Sequence, residues 1–122
     1  MATPKTFKIP CNFRSDLEVT GRLVAEAVGV YHTWQILRSL TGEYTIVLRM
    51  EYSDKSLQVA FSRPTLPDLY HWVRSNFFDH LLLSARDQAA IVGLDENTVA
   101  RDLLEKLAEV FDNLDAPRPE NR

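Results

Sequence analysis

Two of the chain's three histidines, His71 and His80, lie in the stretch DLYHWVRSNFFDHLLL at residues 68–83. Imidazole is the side chain readiest to move a proton or hold a metal near neutral pH. Metal ligands on one helix need i, i+3 or i+4 spacing. His71 and His80 are nine residues apart, which at about 100° per residue places them on opposite sides of a helix. His80 falls within the apolar arc of Leu69, Tyr70, Trp72, Val73, Phe77 and Leu81, the position of a core histidine bonded to a carbonyl. His71 lies near Asp68 on the polar side, an arrangement that more often makes an exposed ion pair than an oriented base. His32, in VYHTW, has no carboxylate or nucleophile close in sequence, so a site built on it needs partners brought from elsewhere by the fold.

Other reactive patterns are missing. There is no G-x-G-x-x-G, no G-x-x-x-x-G-K-[ST], no G-x-S-x-G and no D-x-D-x-D cluster, and the four glycines stand singly. Cys11 is the single cysteine, with no Cys or His at ligand spacing. It excludes an internal disulfide, gives no sign of zinc, and fits a reducing, cytoplasmic setting. No leader pattern and no apolar run near membrane-spanning length is present. The expectation is a protein without catalytic activity, metal or cofactor, although a site assembled in space leaves no such trace.

The elements that would position any site follow from periodicity. FKIPCNF (7–13) alternates apolar and polar residues as a half-buried strand does, and Pro10, lacking a donor, places it at a sheet edge. SDLEVTGRLVAEAV (15–28) fits two templates. Leu17, Val19, Leu23, Ala25 and Ala27 alternate as in a strand, while Glu18, Arg22 and Glu26 form a helical charge stripe behind a Ser15–Glu18 capping box. The capping box favours the helix. A second helix over 31–41 is suggested by Trp34, Leu37 and Leu40 with Gly42 just past its end. Residues 43–52 and 57–61 are β-branched and aromatic and flank a polar connection, which predicts a hairpin. Pro67 opens a helix over 68–84. The last helix begins at the N-cap Asp95, with Leu94 and Val99 as a hydrophobic staple and Val99, Leu103, Leu107, Val110 and Leu114 down one side.

At 122 residues, 45% hydrophobic and 25% charged, the chain has the make-up of one globular domain. The fold class expected is α+β: a small antiparallel β-sheet, including the 43–52/57–61 hairpin, packed against three to four helices over residues 5–114. Residues 1–4 and 115–122 read as disordered ends.

Helix 68–84 is apolar nearly all round, with Phe78 and Leu82 on the side that should face water. A helix of that kind is buried on every side or covered by another chain. Trp34, Tyr70, Trp72, Arg74, Phe78 and Leu82 are therefore the candidate protein-binding residues, aromatics and arginine being enriched at interfaces. The function expected is a protein-binding module, an adaptor, chaperone or assembly factor, and a homodimer.

RDQAAIVGLDENTVARDLLEKL (86–107) resembles the helix-turn-helix of bacterial regulators in its spacing of Ala89, Gly93, Leu94 and Val99. The resemblance implies a DNA-binding transcriptional regulator in which Glu96, Asn97, Thr98, Arg101 and Asp102 face the groove, with Asn97, Thr98 and Arg101 as the contacts. Two features depart from it. Asp102 stands where an apolar residue is usual. Residues 85–122 hold nine Asp/Glu against five Lys/Arg, whereas residues 1–84 hold eight against nine, in a chain of net charge −3. Acidic charge there repels phosphate, so nucleic acid and anionic membrane are disfavoured as partners.

Overall fold

The computed structural model describes residues 4–12, 15–53 and 55–115. Five strands, β1 (Lys5–Ile9), β2 (Leu17–Val28), β3 (His32–Ser39), β4 (Tyr44–Tyr52) and β5 (Lys55–Arg63), precede three helices, α1 (Leu66–Trp72), α2 (Phe78–Ile91) and α3 (Glu96–Asp115). A π-helical turn, Val73–Phe77, joins α1 to α2. The strands form an antiparallel sheet in simple sequence order, so the class is α+β with β1 at an edge. The hairpin expected over 43–52/57–61 is met in part by β4 and β5, which pair from Tyr44↔Arg63 to Tyr52↔Lys55, so the second strand runs two residues further at each end and takes Lys55 and Ser56 out of the expected connection. No helix among the described residues is long and apolar enough to cross a membrane. Of the ends read as disordered, residues 1–3 and 116–122 lie outside the described residues, as does Phe13 of the predicted first strand.

The segments expected as helices over 15–28 and 31–41 are strands. Val19, Thr20, Val24, Val28, Thr33 and Ile36 are β-branched and lose side-chain freedom on a helix. As β2 and β3 they pair with each other and with β1 and β4 on the outer sides, so tertiary pairing outweighs the local charge stripe. Asp16 accepts a hydrogen bond from the Cys11 N–H (3.1 Å) between β1 and β2. Gly42, at φ 93°, closes the β3–β4 turn rather than a helix: its N–H bonds to the Ser39 carbonyl and Ser39 N–H to that of Glu43.

β2 serves two cores. Leu23 pairs with Leu37 but Ala25 pairs with Ile36, so Val24 is an extra residue in a bulge. One inserted residue reverses the alternation of everything beyond it. Before the bulge Val19 faces a cluster with Ile9, Leu37, Val47 and Ala60. After it Ala25 and Ala27 face the helices together with Trp34, Ile36, Ile46 and Leu48. The sheet curls round the smaller cluster until its ends meet: Asn12 N–H donates to the Gln58 carbonyl (2.9 Å), Gln58 N–H to Asn12 Oδ1 (2.7 Å) and Gln58 Nε2 to the Pro10 carbonyl (2.9 Å).

α3 lies across β2 and β3, α1 across β4 and β5, and α2 packs on α3. Thr65 caps α1 through its side chain, which accepts from the Asp68 N–H (3.2 Å). Asp95 caps α3, accepting from Thr98 N–H (3.2 Å) and Thr98 Oγ1 (2.5 Å), as the sequence predicts. Between α2 and α3, Leu94 N–H reaches the Ala89 carbonyl (2.8 Å) and Gly93 N–H that of Ala90 (3.3 Å), with Gly93 at φ 78°. This paired closure needs a left-handed residue, which glycine supplies without a Cβ clash.

The π-turn corrects the single wheel drawn for 68–84. Five residues at a wider turn hold back the phase of all that follow. Leu81, Ala85 and Ala89 become the buried stripe of α2, and His80 is exposed instead of lying in the core. Phe78 and Leu82 are half-buried against the main core rather than facing water. Trp34, 1% exposed, has no surface to offer a partner; its indole Nε1 donates to the Leu103 carbonyl (3.2 Å) on α3.

The Asn12 side chain accepts one of the three bonds that close the curl, the one from the Gln58 N–H. Asn12→Ala should lower stability by about 1 kcal/mol and speed hydrogen exchange at the Gln58 amide. Chemical denaturation and amide exchange test this; unchanged exchange at Gln58 would show that the strand ends hold together without it.

Candidate functional site

Folding supplies His32 with the partners its local sequence lacks. The turn Gly29–His32 presents three successive backbone N–H groups to Asp102 of α3, seventy residues on. Val30 N–H donates to Oδ1 (3.2 Å), and Tyr31 N–H (3.1 Å) and His32 N–H (2.9 Å) donate to Oδ2. Gly29 is required there by space, because a Cβ on it would lie 2.5 Å from Asp102 Oδ1. The His32 ring adds a fourth bond, Nδ1 to Asp102 Oδ2 (2.9 Å). A carboxylate gathering backbone donors is an acceptor, so Nδ1 bears the hydrogen and Nε2 is left to accept from the Tyr52 hydroxyl of β4.

An acid, an imidazole and a hydroxyl in line form the relay used to activate nucleophiles. Here it is sealed. His32 is 1% and Tyr52 0% exposed, so neither reaches a substrate in solution. Burial lowers the His32 pKa from its ordinary value, against the opposing hydrogen bond and charge of Asp102. Burial first, and then the Asp102 charge, raises that of Tyr52. Among the described residues no buried side-chain polar atom lacks a partner, and no three His, Cys, Asp or Glu side chains are grouped to hold a metal. The relay therefore locks α3 to the sheet.

The exposed candidate lies on the helices. α1, the π-turn and α2 form one continuous helical run, and beside it α3 returns from the four-residue connection. Two open depressions mark the seam between them. One, of about 370 Å³, is lined by Phe78, Leu82, Ala100 and Leu104 with Arg86 and Arg101. The other, of about 420 Å³, is lined by Pro67, Tyr70, His71, Phe111 and Leu114 with Asp112. The Tyr70 and Phe111 rings meet edge to face at 4.9 Å. Between the depressions the Arg74 guanidinium lies 5.8 Å from the ring centres of both Tyr70 and Phe78. Tyr70, Arg74 and Phe78 are four apart, the spacing that makes side chains neighbours on a helix.

Of the predicted protein-binding residues, Tyr70, Arg74, Phe78 and Leu82 thus come together along one seam. Trp72 turns inward, packing on Phe61 (4.5 Å) under the Arg63 guanidinium (4.5 Å), and Trp34 is in the core. Of the residues considered for DNA, Asn97 and Arg101 are exposed on this same seam, while Thr98 bonds to the Asp95 cap. α2, the turn and α3 do form a helix-turn-helix, but Asp102 is committed to the β2–β3 turn. The exposed positions of α3 carry Glu96, Glu105, Glu109 and Asp112 along its length against Arg101 alone, so a phosphate backbone tracking the helix would run past all four carboxylates, while Arg86 and Arg101 leave only a local positive spot at one end. Leu104, 46% exposed, was missed by sequence reasoning. It lies just off the buried stripe, and only the path of α2 tells its side from bare surface. Compared with protein-family models, curated proteins and solved structures, the chain matches none.

Removing the Asp102 carboxylate leaves the His32 ring and backbone donors without an acceptor. Asp102→Ala should cost about 3 kcal/mol in urea denaturation, well beyond the exposed control Asp112→Ala; equal effects would exclude the lock. The pKa directions predict the pH dependence. His32 binds a proton more weakly when folded, so its contribution is complete above the ordinary value of 6.5 and is lost as pH falls below it. Tyr52 ionises less readily when folded, so its contribution is complete below the ordinary value of 10.0 and is lost above it. Melting temperature against pH should show both limbs, with His32→Asn flattening the acid limb and Tyr52→Phe the alkaline one. Limbs unchanged in these variants would assign the titrations to other groups.

Proposed function

We propose that the protein is a non-catalytic protein-binding module that uses the seam between the α1–α2 run and α3. The observation that carries this reading is a row of apolar side chains, Tyr70, Phe78, Leu82 and Leu104, open to solvent in part and set among arginines. Apolar surface concentrated in a concave strip, with rigid aromatics and arginine, is the chemistry of interface hot spots. The sealed state of the His32 relay supports binding over catalysis as the use of this fold.

The half-burial of Phe78 and Leu82 makes Leu104 the cleaner probe. It is exposed on a helix whose packing runs through Val99, Leu103, Leu107 and Val110. Leu104→Asp should leave the melting temperature near that of the parent while weakening partner capture at least tenfold, a loss of about 1.4 kcal/mol. Affinity capture with mass spectrometry, beside circular dichroism, reads both quantities. Partners retained equally by the two proteins would place binding elsewhere.

A further inference from the structure

The occupant of the seam can be specified from its length and charge, on the basis of the reading just given. From Asn97 to Leu114 the α3 wall is eighteen residues long, about 26 Å end to end at a rise of 1.5 Å per residue. The α1–α2 wall faces it from Pro67 to Arg86. Two largely apolar depressions set along one seam of that length, with Arg74 between them, accept an amphipathic helix laid across both.

Charge then selects among such helices. Arg86 and Arg101 stand level, each five residues from the α2–α3 connection, one on each wall. Arg74 follows along the α1–α2 wall, and Asp112 stands at the far end. Neither Arg86 nor Arg101 is held in an ion pair among the described residues. We infer that the seam binds a foreign amphipathic helix of four to five turns. Its apolar stripe lies on Tyr70, Phe78, Leu82 and Leu104, and its carboxylates meet Arg86 and Arg101 at one end. A second copy of this chain is a poorer fit in two-fold symmetry: an axis through this end would set arginine against arginine, and each copy's α3 also presents Glu105 and Glu109.

The test is selection from a displayed library of random, helix-biased 18-residue peptides. The probes are the wild-type protein, Leu104→Asp and the double variant Arg86→Glu/Arg101→Glu. The wild type should enrich peptides with apolar residues at i, i+4 and i+7 and Asp or Glu clustered at one end. The double variant should enrich Lys or Arg in place of those acids. Peptides enriched on the wild type should bind Leu104→Asp at least tenfold more weakly. Enriched peptides that need Leu104 but no acidic residue would overturn the partner chemistry and leave the groove standing. Peptides indifferent to Leu104, or none enriched, would overturn the groove as well. Light scattering supplies the remaining outcome: a dimer that Leu104→Asp dissolves would give the seam to a second copy and overturn the foreign helix.

Discussion

The carboxylate of Asp102 holds the two layers of the molecule in register. Sheet and helices share a large apolar contact, but apolar contact is non-directional and permits sliding. Three backbone donors and an imidazole converging on one carboxylate permit one placement only. That placement puts Val99, Leu103, Leu107 and Val110 over Ala25, Ala27, Trp34 and Ile36. It also bears on where α2 lies, because α2 packs mainly on α3, with Ala85 and Ala89 fully buried. The seam on the outer side of the helices follows from this lock on their inner side.

Two local irregularities share the work. The bulge at Val24 turns one continuous strand into a wall of two different interiors, and the π-turn at Val73–Phe77 rotates one continuous helix so that its burial stripe changes phase. Each is a local event with effects on the phase of the residues beyond it.

These irregularities also mark where the sequence stops being readable. α3 was legible because its pattern is regular from end to end and agrees with its cap, and the β4–β5 pairing was legible in its centre but not at the ends of β5, where Lys55, Ser56, Ser62 and Arg63 are polar. β2 and β3 were not, since Glu18, Arg22 and Glu26 fall four apart by local chance, while the strand state depends on partners on both flanks. The phase error in 68–84 put His80 inside and Phe78 and Leu82 outside; no residue in VRSNF announces a wider turn. Asp102 did leave a trace. A carboxylate beside the apolar stripe of a helix, where the helix-turn-helix pattern expects an apolar residue, signals a buried polar partner. What periodicity could not supply was its identity, because Gly29–His32 lies seventy residues away.

That separation bears on how the chain reaches this state. Every strand of the meander pairs with its neighbour in sequence, so the sheet can grow by adding hairpins, each closing a short loop. The contact between Asp102 and the Gly29–His32 turn closes a loop of about seventy residues, the slower kind of event. Until it forms, the part of the sheet that α3 covers, Ala25, Ala27 and Trp34 included, stands open to water. The docking of α3 is thus a step at which assembly competes with aggregation, and the helix that must close the longest loop is also the one most firmly held once it has closed it.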